Sequence, residues 1–297
     1  MELAVRAEQL LGSRIEIKLP KQHAHFFPEC FAEIKRIEGA YSRFLEGSEL
    51  SRLNRRLGAW QDASPELLML VSKAEEFREK TKGNFDITLK SALDAIGYDR
   101  DYSFKPQPQP KPGLLQRIRL LSGSIRTDPK KSRILLNKEI DFGGFGKGFA
   151  LDKARELLES RGVSHYYINA GGDIFAAQGK GCESWPILLE HPDDESMAIG
   201  KISLDNRAIA ASAPNRRKWG EFHHLLNART GKPAMGAKAI FVIAKTGLEA
   251  DAYATALFTA GFEEGIAISK NLPVELLIVS SQDKMYQSQG FKAELFG

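Results

Sequence analysis

Asp141-Phe-Gly-Gly-Phe-Gly-Lys147-Gly148 is the segment that decides how this chain is organised. Its glycines lack Cβ atoms, so backbone N–H groups can approach an anion, and its lysine adds a positive charge. Residues 134–140 before it have the composition of a strand, and residues 149–160 after it have the pattern of a helix that ends near Gly162. The positive end of that helix would point at the same anion. We therefore expect this turn to face a phosphorylated ligand.

The glycine spacing matches neither the Walker A motif nor the Rossmann motif, so a tight connection that binds nothing is the alternative. The next predicted strand, residues 166–174, favours a ligand. It ends in a second glycine pair, Gly171-Gly172, which is followed by the carboxylate of Asp173. Two such turns beside one helix predict a shared site.

The composition is that of a folded protein with a full hydrophobic core. The 297 residues are 42% apolar, which is enough for one large domain or two closely packed ones. The 42 basic and 38 acidic residues are interspersed, and only Arg216-Arg217-Lys218 forms a basic run, so we expect no nucleic-acid partner. Cys30 and Cys182 lack the spacing of a zinc site or of a disulfide framework.

The N-terminal sequence does not resemble an export signal. Glu2 and Glu8 stand where a signal peptide needs an apolar core, and no segment has the length and apolarity of a membrane span. We therefore predict no membrane span and a location in the cytoplasm.

The predicted elements indicate an α+β fold, with helices packed on largely antiparallel sheets. Residues 14–19 alternate like a half-buried strand, one helix follows the apolar positions from Phe27 to Tyr41, and another runs from Ser64-Pro65 to Gly83. Proline at alternate positions of residues 105–113 predicts an exposed, stiff loop within a single domain of residues 1–297. Further strands and a helix follow, at residues 186–190, 207–211, 239–244, 248–259 (the helix) and 274–279.

Two oxygen-bearing side chains stand one helical turn apart near the C-terminal end. Asp251 and Thr255 lie four residues apart, so they share a helix face, and the alanines between them keep the surroundings small. Mg²⁺ prefers oxygen ligands and usually takes only one or two carboxylates. The pair therefore predicts a magnesium site; the alternative is an acidic residue favoured by the helix dipole and a threonine that bonds back along its own helix.

Adjacent histidines provide a candidate general base. His223 and His224 on one strand would point to opposite faces, so we expect one to face a ligand and the other to face solvent. An imidazole that titrates near neutrality suits proton transfer, although a purely structural histidine is the alternative.

A short turn after the second helix carries several ligand-binding groups. Residues 83–88, Gly-Asn-Phe-Asp-Ile-Thr, supply backbone amides, an aromatic ring and a carboxylate. The alternative is a helix C-cap followed by an Asx turn. No motif considered so far assigns a function by itself.

Taken in order, these segments resemble the motifs of the ApbE family of flavin transferases, which take FMN from FAD and attach it through a phosphoester to a threonine or serine of a target protein. The resemblance covers nearly the whole chain. The matching segments are S-x-Y/F with S-E-x-S-x-L-N (residues 42–44 and 48–54), G-x-F-D-x-T (83–88), D-L/F-G-G-x-x-K-G-x-A-x-D (141–152), N-x-G-G-D-I (169–174), Trp with His-Pro (185 and 191–192), H-x-I/L-x-x-R-T-G-x-P (224–233) and A-D-A-x-A-T-A-L-F (250–258).

The resemblance implies an ApbE-like (T-fold-like) architecture and magnesium-dependent FMN transfer that releases AMP. It implies FAD contacts from Leu11, Phe44, Asn84, Phe85, Asp86, Asp141, Lys147 and Leu225. It places the metal on Asp251, Thr255 and the backbone carbonyl of Gly144, and it makes His224 the candidate for accepting the proton of the target hydroxyl.

Other activities are compatible with the same motifs. Water in place of the target hydroxyl would make the chain an FAD pyrophosphatase that yields FMN and AMP, and a protein that only binds FAD is a third hypothesis. The chain also departs from the family pattern, with Ala211-Ser212-Ala213 in place of Thr-Ser-Gly and Asn227-Ala228 in place of Asp-Pro. We expect these changes to affect target docking or turn stiffness.

Overall fold

The computed structural model describes residues 2–99, 104–105 and 124–296. Apart from Lys105, the predicted proline-rich loop of residues 105–113 lies outside the described residues. The strands are β1 (Leu3–Leu10), β2 (Ser13–Pro20), β3 (Trp60–Asp62), β4 (Ile125–Asp128), β5 (Arg133–Leu136), β6 (Tyr166–Ala170), β7 (Asp173–Ala177), β8 (Trp185–His191), β9 (Asp194–Leu204), β10 (Arg207–Ser212), β11 (Lys218–Trp219), β12 (Phe222–His223), β13 (Ala237–Ala244), β14 (Glu275–Ser280), β15 (Met285–Gln287) and β16 (Glu294–Leu295). The α-helices are α1 (Phe27–Tyr41), α2 (Glu49–Asn54), α3 (Pro65–Lys80), α4 (Lys90–Ala95), α5 (Gly146–Ser160), α6 (Gly247–Ala260) and α7 (Phe262–Ser269).

The described strands form one large sheet and three small ones. The large sheet has eight strands in the order β1-β2-β6-β7-β10-β13-β14-β15, and every neighbouring pair in it is antiparallel. The small sheets are β3-β5-β4, β16-β9-β8 and β11-β12, also antiparallel. The prediction of an α+β fold with largely antiparallel sheets is confirmed.

The large sheet lies between two layers because its strands alternate apolar side chains on both faces. On one face, residues such as Ile168 and Val242 join the main core with the helices. On the other face, Tyr167 and Phe241 pack against Ile187 and the rest of the β8–β9 hairpin. The central strands β6, β7, β13 and β14 are therefore buried from both sides and are nearly continuous apolar runs in the sequence, whereas β1 at the edge is mostly exposed.

The elements on either side of the glycine turn differ in their bounds from the prediction. Strand β5 ends at Leu136 rather than at residue 140. The backbone of Ile140 forms its hydrogen bonds with the Asn54 side chain instead of with a strand. Asn54 donates to the Ile140 oxygen and accepts from the Ile140 nitrogen, at 2.8 Å each. Helix α5 begins at Gly146 rather than at residue 149, so Lys147 lies in its first turn. The lysine is therefore held by a helix and not by a loose loop.

The second glycine pair lies in the turn between two strands and not at the end of one strand. Residues 166–174 are not one strand, because Gly171 and Gly172, with φ of 65° and 107°, form the turn of a hairpin between β6 and β7. Asp173 is consequently the first residue of β7. Strand β1, which pairs with β2 along its whole length, was not predicted.

Helices α5 and α6 cross at a point where only glycine fits. A Cβ atom on Gly148 would lie 2.1 Å from the backbone oxygen of Gly247. Asp152 of α5 then accepts hydrogen bonds from the first backbone nitrogens of α6, those of Gly247 (2.8 Å) and Leu248 (2.9 Å). The crossing fixes the side chains of α6 against the start of α5. Among the described residues, no helix has both the length and the apolar character that crossing a bilayer requires.

Candidate active site

The crossing of α5 and α6 brings the predicted metal ligands to the glycine turn. Asp251 Oδ2 accepts a hydrogen bond from the backbone nitrogen of Gly148 at 3.0 Å, and Thr255 Oγ1 donates to the oxygen of Gly144 at 3.2 Å. One helix face therefore presents a carboxylate and a hydroxyl to this turn. Because Thr255 bonds to the turn rather than back along its own helix, the alternative interpretation of this threonine is wrong.

Lys147 lies between two buried carboxylates. Its ammonium pairs directly with Asp173 Oδ2 and lies 3.8 Å from Asp251 Oδ2. Burial acts to lower the pKa of Lys147, but the two carboxylates outweigh it and raise the pKa overall. Burial, together with repulsion from Asp173, raises the pKa of Asp251 to about 7. The two glycine turns thus share one site, as predicted, in which the positive charges of Lys147 and Arg217 act on the carboxylates of Asp173 and Asp251.

The turn after α3 combines a structural role with an open acceptor. Thr81 Oγ1 accepts from the Phe85 nitrogen at 3.1 Å, and Asp86 Oδ1 accepts from the nitrogen and hydroxyl of Thr88 at 2.8 and 2.7 Å. The cap and Asx turn considered as the alternative are therefore present. Asn84 is 2% exposed, and its Oδ1 accepts no hydrogen bond from any described residue. Asn84 lines a cavity, so this oxygen is a candidate acceptor for a hydrogen bond from a ligand.

The two histidines have different surroundings, and these do not follow the alternation of side chains along a strand. His223 is 6% exposed rather than facing solvent; its Nδ1 accepts from the Leu225 nitrogen at 3.2 Å, and its Nε2 lies 3.1 Å from the Ala234 oxygen. His224 lines the cavity, and its buried Nδ1 has no hydrogen-bond partner among the described residues. The expectation that one histidine faces solvent is wrong.

The electrostatic environment of His224 also differs from the expectation. Burial, then the positive charges of Arg217, His223 and Lys147, lower the pKa of His224 to about 3. This imidazole is therefore neutral at physiological pH instead of titrating near neutrality. A neutral imidazole with an unoccupied nitrogen can accept a proton or a hydrogen bond.

Asp141 is held by a buried arginine that the sequence did not reveal. Its Oδ1 accepts from the Gly143 nitrogen at 3.0 Å, and its Oδ2 lies 3.5 Å from Arg43 Nε. Arg43 also pairs with Asp94 at 2.6 Å and lies over the Phe44 ring, 4.5 Å from its centroid. These contacts orient the Asp141 carboxylate at the rim of the glycine turn.

Two cavities meet at the glycine turn. The narrow cavity, about 120 Å³, is lined by most of the predicted site. The wide cavity, about 720 Å³, lies between the Gly171-Gly172 hairpin and strand β8. Both are lined by Lys147, Ala211, Ala213, Arg217 and His224. The lysine and the histidine thus stand where the contents of the two cavities would meet.

The predicted FAD contacts are only partly brought together. The narrow cavity is lined by Asn84, Phe85, Asp86, Asp141, Lys147 and Leu225, and also by Gly144, Asp251 and Thr255. Leu11 and Phe44 line neither cavity: Leu11 lies at the β1–β2 turn, where its nitrogen donates to Glu38 at 2.7 Å, and Phe44 packs edge-on against Tyr98. Their contact with FAD stays a prediction.

Sequence reasoning placed the Asp173 carboxylate near the shared site but missed its pairing with Lys147, which needs the fold. It also missed Arg217. Arg217 lines both cavities and donates to the Tyr98 hydroxyl at 2.9 Å; the basic run of residues 216–218 was its only signal.

A sequence comparison matches the ApbE family pattern to residues 11–278, and the chain belongs to the ApbE family. It is similar to the FAD:protein FMN transferase of Haemophilus influenzae, with 28% identity over 270 residues, 84% of this chain and 77% of that protein. The crystal structure of the ApbE protein from Thermotoga maritima has a TM-score of 0.90 at 26% identity and covers 98% of each chain. The flavin transferase ApbE from Vibrio cholerae shares the fold, with a TM-score of 0.84 at 22% identity over 98% of each chain.

Proposed function

We propose that this chain is an FAD:protein FMN transferase, which passes FMN from FAD to a threonine or serine hydroxyl of a target protein and releases AMP. The observation that carries the proposal is the convergence of Lys147, Asp251, Thr255 and the Gly144 carbonyl on one turn at the junction of two cavities. Membership of the ApbE family and the names of the curated relatives support it.

The residues at the turn suit magnesium. Asp251, Thr255 and the Gly144 carbonyl offer a carboxylate, a hydroxyl and a carbonyl oxygen, which is a hard-cation donor set with a single carboxylate. The described residues contain no group of three or more His, Cys, Asp and Glu side chains that would favour another metal. When bound, Mg²⁺ would neutralise negative charge that builds on the phosphates.

The diphosphate of FAD would lie against Lys147 and the first turn of α5. The nitrogens of Gly146 and Gly148 in that turn already donate to the Phe142 oxygen and to Asp251 Oδ2, so the Lys147 ammonium and the positive end of the helix dipole would attract the phosphate oxygens there. The Asn84 oxygen, which no described residue satisfies, would accept a hydrogen bond from FAD deeper in the narrow cavity. Positioning and charge stabilisation are the main contributions a protein makes to phosphoryl transfer.

The target hydroxyl would reach this junction through the wide cavity. Its oxygen forms a bond to the riboflavin-side phosphorus, the bond from that phosphorus to the bridging oxygen breaks, and AMP leaves with the bridging oxygen. His224 lies at the junction with a free nitrogen and would accept the hydroxyl proton. The negative charge of a bound diphosphate would raise the pKa of His224 above its value of about 3.

The experiment that tests the proposal is incubation of the protein with FAD, Mg²⁺ and a threonine-bearing target peptide that the Haemophilus influenzae relative flavinylates. We expect a peptide carrying FMN, detected by mass and flavin fluorescence, together with an equal amount of AMP. A parallel reaction without peptide distinguishes the alternatives: FMN and AMP in the absence of peptide indicate an FAD pyrophosphatase. FAD that stays intact in both reactions, while the relative labels the peptide, contradicts catalysis and indicates a protein that only binds FAD.

A further inference from the structure

Asp173 is a buried carboxylate that the proposed chemistry does not use directly. It is 2% exposed and comes from β7, whereas Lys147 comes from α5 and Asp251 from α6. The Lys147 ammonium pairs with Asp173 Oδ2 and stays 3.8 Å from Asp251 Oδ2. The lysine therefore pairs with both carboxylates, and its shorter contact is with Asp173 and not with the proposed metal ligand.

The fold fixes Asp173 more firmly than the lysine. Its Oδ1 accepts a hydrogen bond from the Ala211 nitrogen at 3.3 Å, which ties it to β10. The hairpin turn before it is held in turn by Asn169, whose Oδ1 accepts from the Gly172 nitrogen at 2.8 Å. Lys147, by contrast, has a flexible four-carbon side chain. Removing the Asp173 charge would thus free the ammonium to move, while the Asp251 carboxylate stays in place.

The nearest new partner for a freed ammonium is Asp251. That carboxylate is already close, and its Oδ2 otherwise accepts only from the Gly148 nitrogen. An ammonium paired with this oxygen would occupy the position from which Asp251 would bind a cation. A divalent ion would then have to displace the lysine.

We propose that Asp173 is a positioning residue that holds the Lys147 ammonium away from Asp251 and so keeps the Asp251 carboxylate available for a divalent cation. The inference rests on the proposed metal site of the FMN transferase. It assigns Asp173 a role that depends on Lys147, which distinguishes it from a general contribution of negative charge.

A double-mutant cycle on metal binding tests this role without using catalysis. The probe is Mn²⁺, which takes the same oxygen ligands, with free Mn²⁺ counted by electron paramagnetic resonance in the absence of FAD. The four proteins are the wild type, Asp173→Asn, Lys147→Met and the double variant. We expect Asp173→Asn to weaken Mn²⁺ binding roughly tenfold, and Lys147→Met to strengthen it by a factor about ten times larger in the Asp173→Asn background than in the wild type.

Equal effects of Lys147→Met in the two backgrounds would overturn the inference, because Asp173 would then act only through its charge. A wild-type protein that binds no Mn²⁺ would contradict the proposed metal site and this inference together. Normal Mn²⁺ binding and coupling without FMN transfer would contradict the proposed function alone.

A further variant separates the role of Asp173 from damage to the fold. Asp152→Asn is the matched control, because it makes the same chemical change in a buried carboxylate that caps α6 and does not contact Lys147. We expect Asp152→Asn to lower the thermal unfolding temperature. In the Asp152→Asn background, Lys147→Met should change Mn²⁺ binding by the same factor as it does in the wild type.

Discussion

The hydroxyl of Thr255 donates a hydrogen bond to the backbone oxygen of Gly144 across 3.2 Å, joining residues that are 111 positions apart in the sequence. This contact joins the last turns of α6 to the glycine turn before α5. It places a hydroxyl and a carbonyl oxygen side by side, next to the carboxylate of Asp251. The metal site proposed here depends on that proximity.

Replacing Thr255 with valine tests the hydroxyl as a ligand. Valine keeps the shape of the side chain, so we expect the fold to persist and the Mg²⁺ concentration for half-maximal FMN transfer to rise roughly 10- to 100-fold. Thr255→Ser, which keeps the oxygen, is the matched control and should stay close to the wild type. A Thr255→Val protein with an unchanged Mg²⁺ requirement would rule out ligation by this residue.

Replacing Lys147 with methionine tests its contact with the diphosphate. A charge-assisted hydrogen bond to phosphate is lost, so we expect the Kd for FAD to increase about 10- to 100-fold. Riboflavin has no phosphate, so its affinity should change little, and both affinities can be measured by flavin fluorescence. If FAD and riboflavin lose affinity equally, Lys147 supports the cavity rather than the diphosphate.

The protonation of His224 predicts a pH dependence of stability. Its pKa is about 3 in the folded protein against 6.5 ordinarily, so the unfolded chain binds the extra proton first as the pH falls. This histidine therefore contributes stability above pH 6.5 that is lost as the pH falls toward 3. Urea unfolding at several pH values should show a smaller loss of stability on acidification for His224→Gln than for the wild type.

The same substitution tests catalysis. Loss of a general base costs about 100-fold or more in rate, so His224→Gln should reduce kcat for FMN transfer by at least that factor while FAD still binds. A variant that keeps the wild-type kcat would exclude His224 as the base.

Asp152 predicts a structural effect at a distance from the chemistry. Asp152→Ala leaves the nitrogens of Gly247 and Leu248 without an acceptor, which should lower the free energy of unfolding by ~1–3 kcal/mol at neutral pH. Asp152→Asn retains one acceptor oxygen and should lose less. Urea titration measures both, and the FMN-transfer rate per folded molecule should stay near that of the wild type, since neither change touches the cavities. A rate that falls with Asp152→Ala more than the folded fraction does would place Asp152 in the active site.

Much of the fold was predictable because local patterns determined it. The helix face that carries Asp251 and Thr255 follows from a spacing of four residues, which no packing can alter within a helix. The glycine turn was also identified correctly, but its neighbours had different bounds. The side chain of Asn54 binds the backbone of Ile140, which is 86 positions away, so Ile140 is not part of the strand. A partner at that distance cannot be predicted from the local sequence.

The candidate site also has a part that the sequence predicts and a part that only the tertiary structure shows. Sequence alone determined which candidate residues each motif presents, because composition and spacing fix the groups that one turn or one helix face can offer. Tertiary structure decided which of them meet: Lys147 pairs with Asp173 of another element, Arg43 approaches Asp141, and His223 is buried rather than exposed. Those pairings depend on how helices and strands pack, and the glycine-only crossing of α5 over α6 sets that packing at the site.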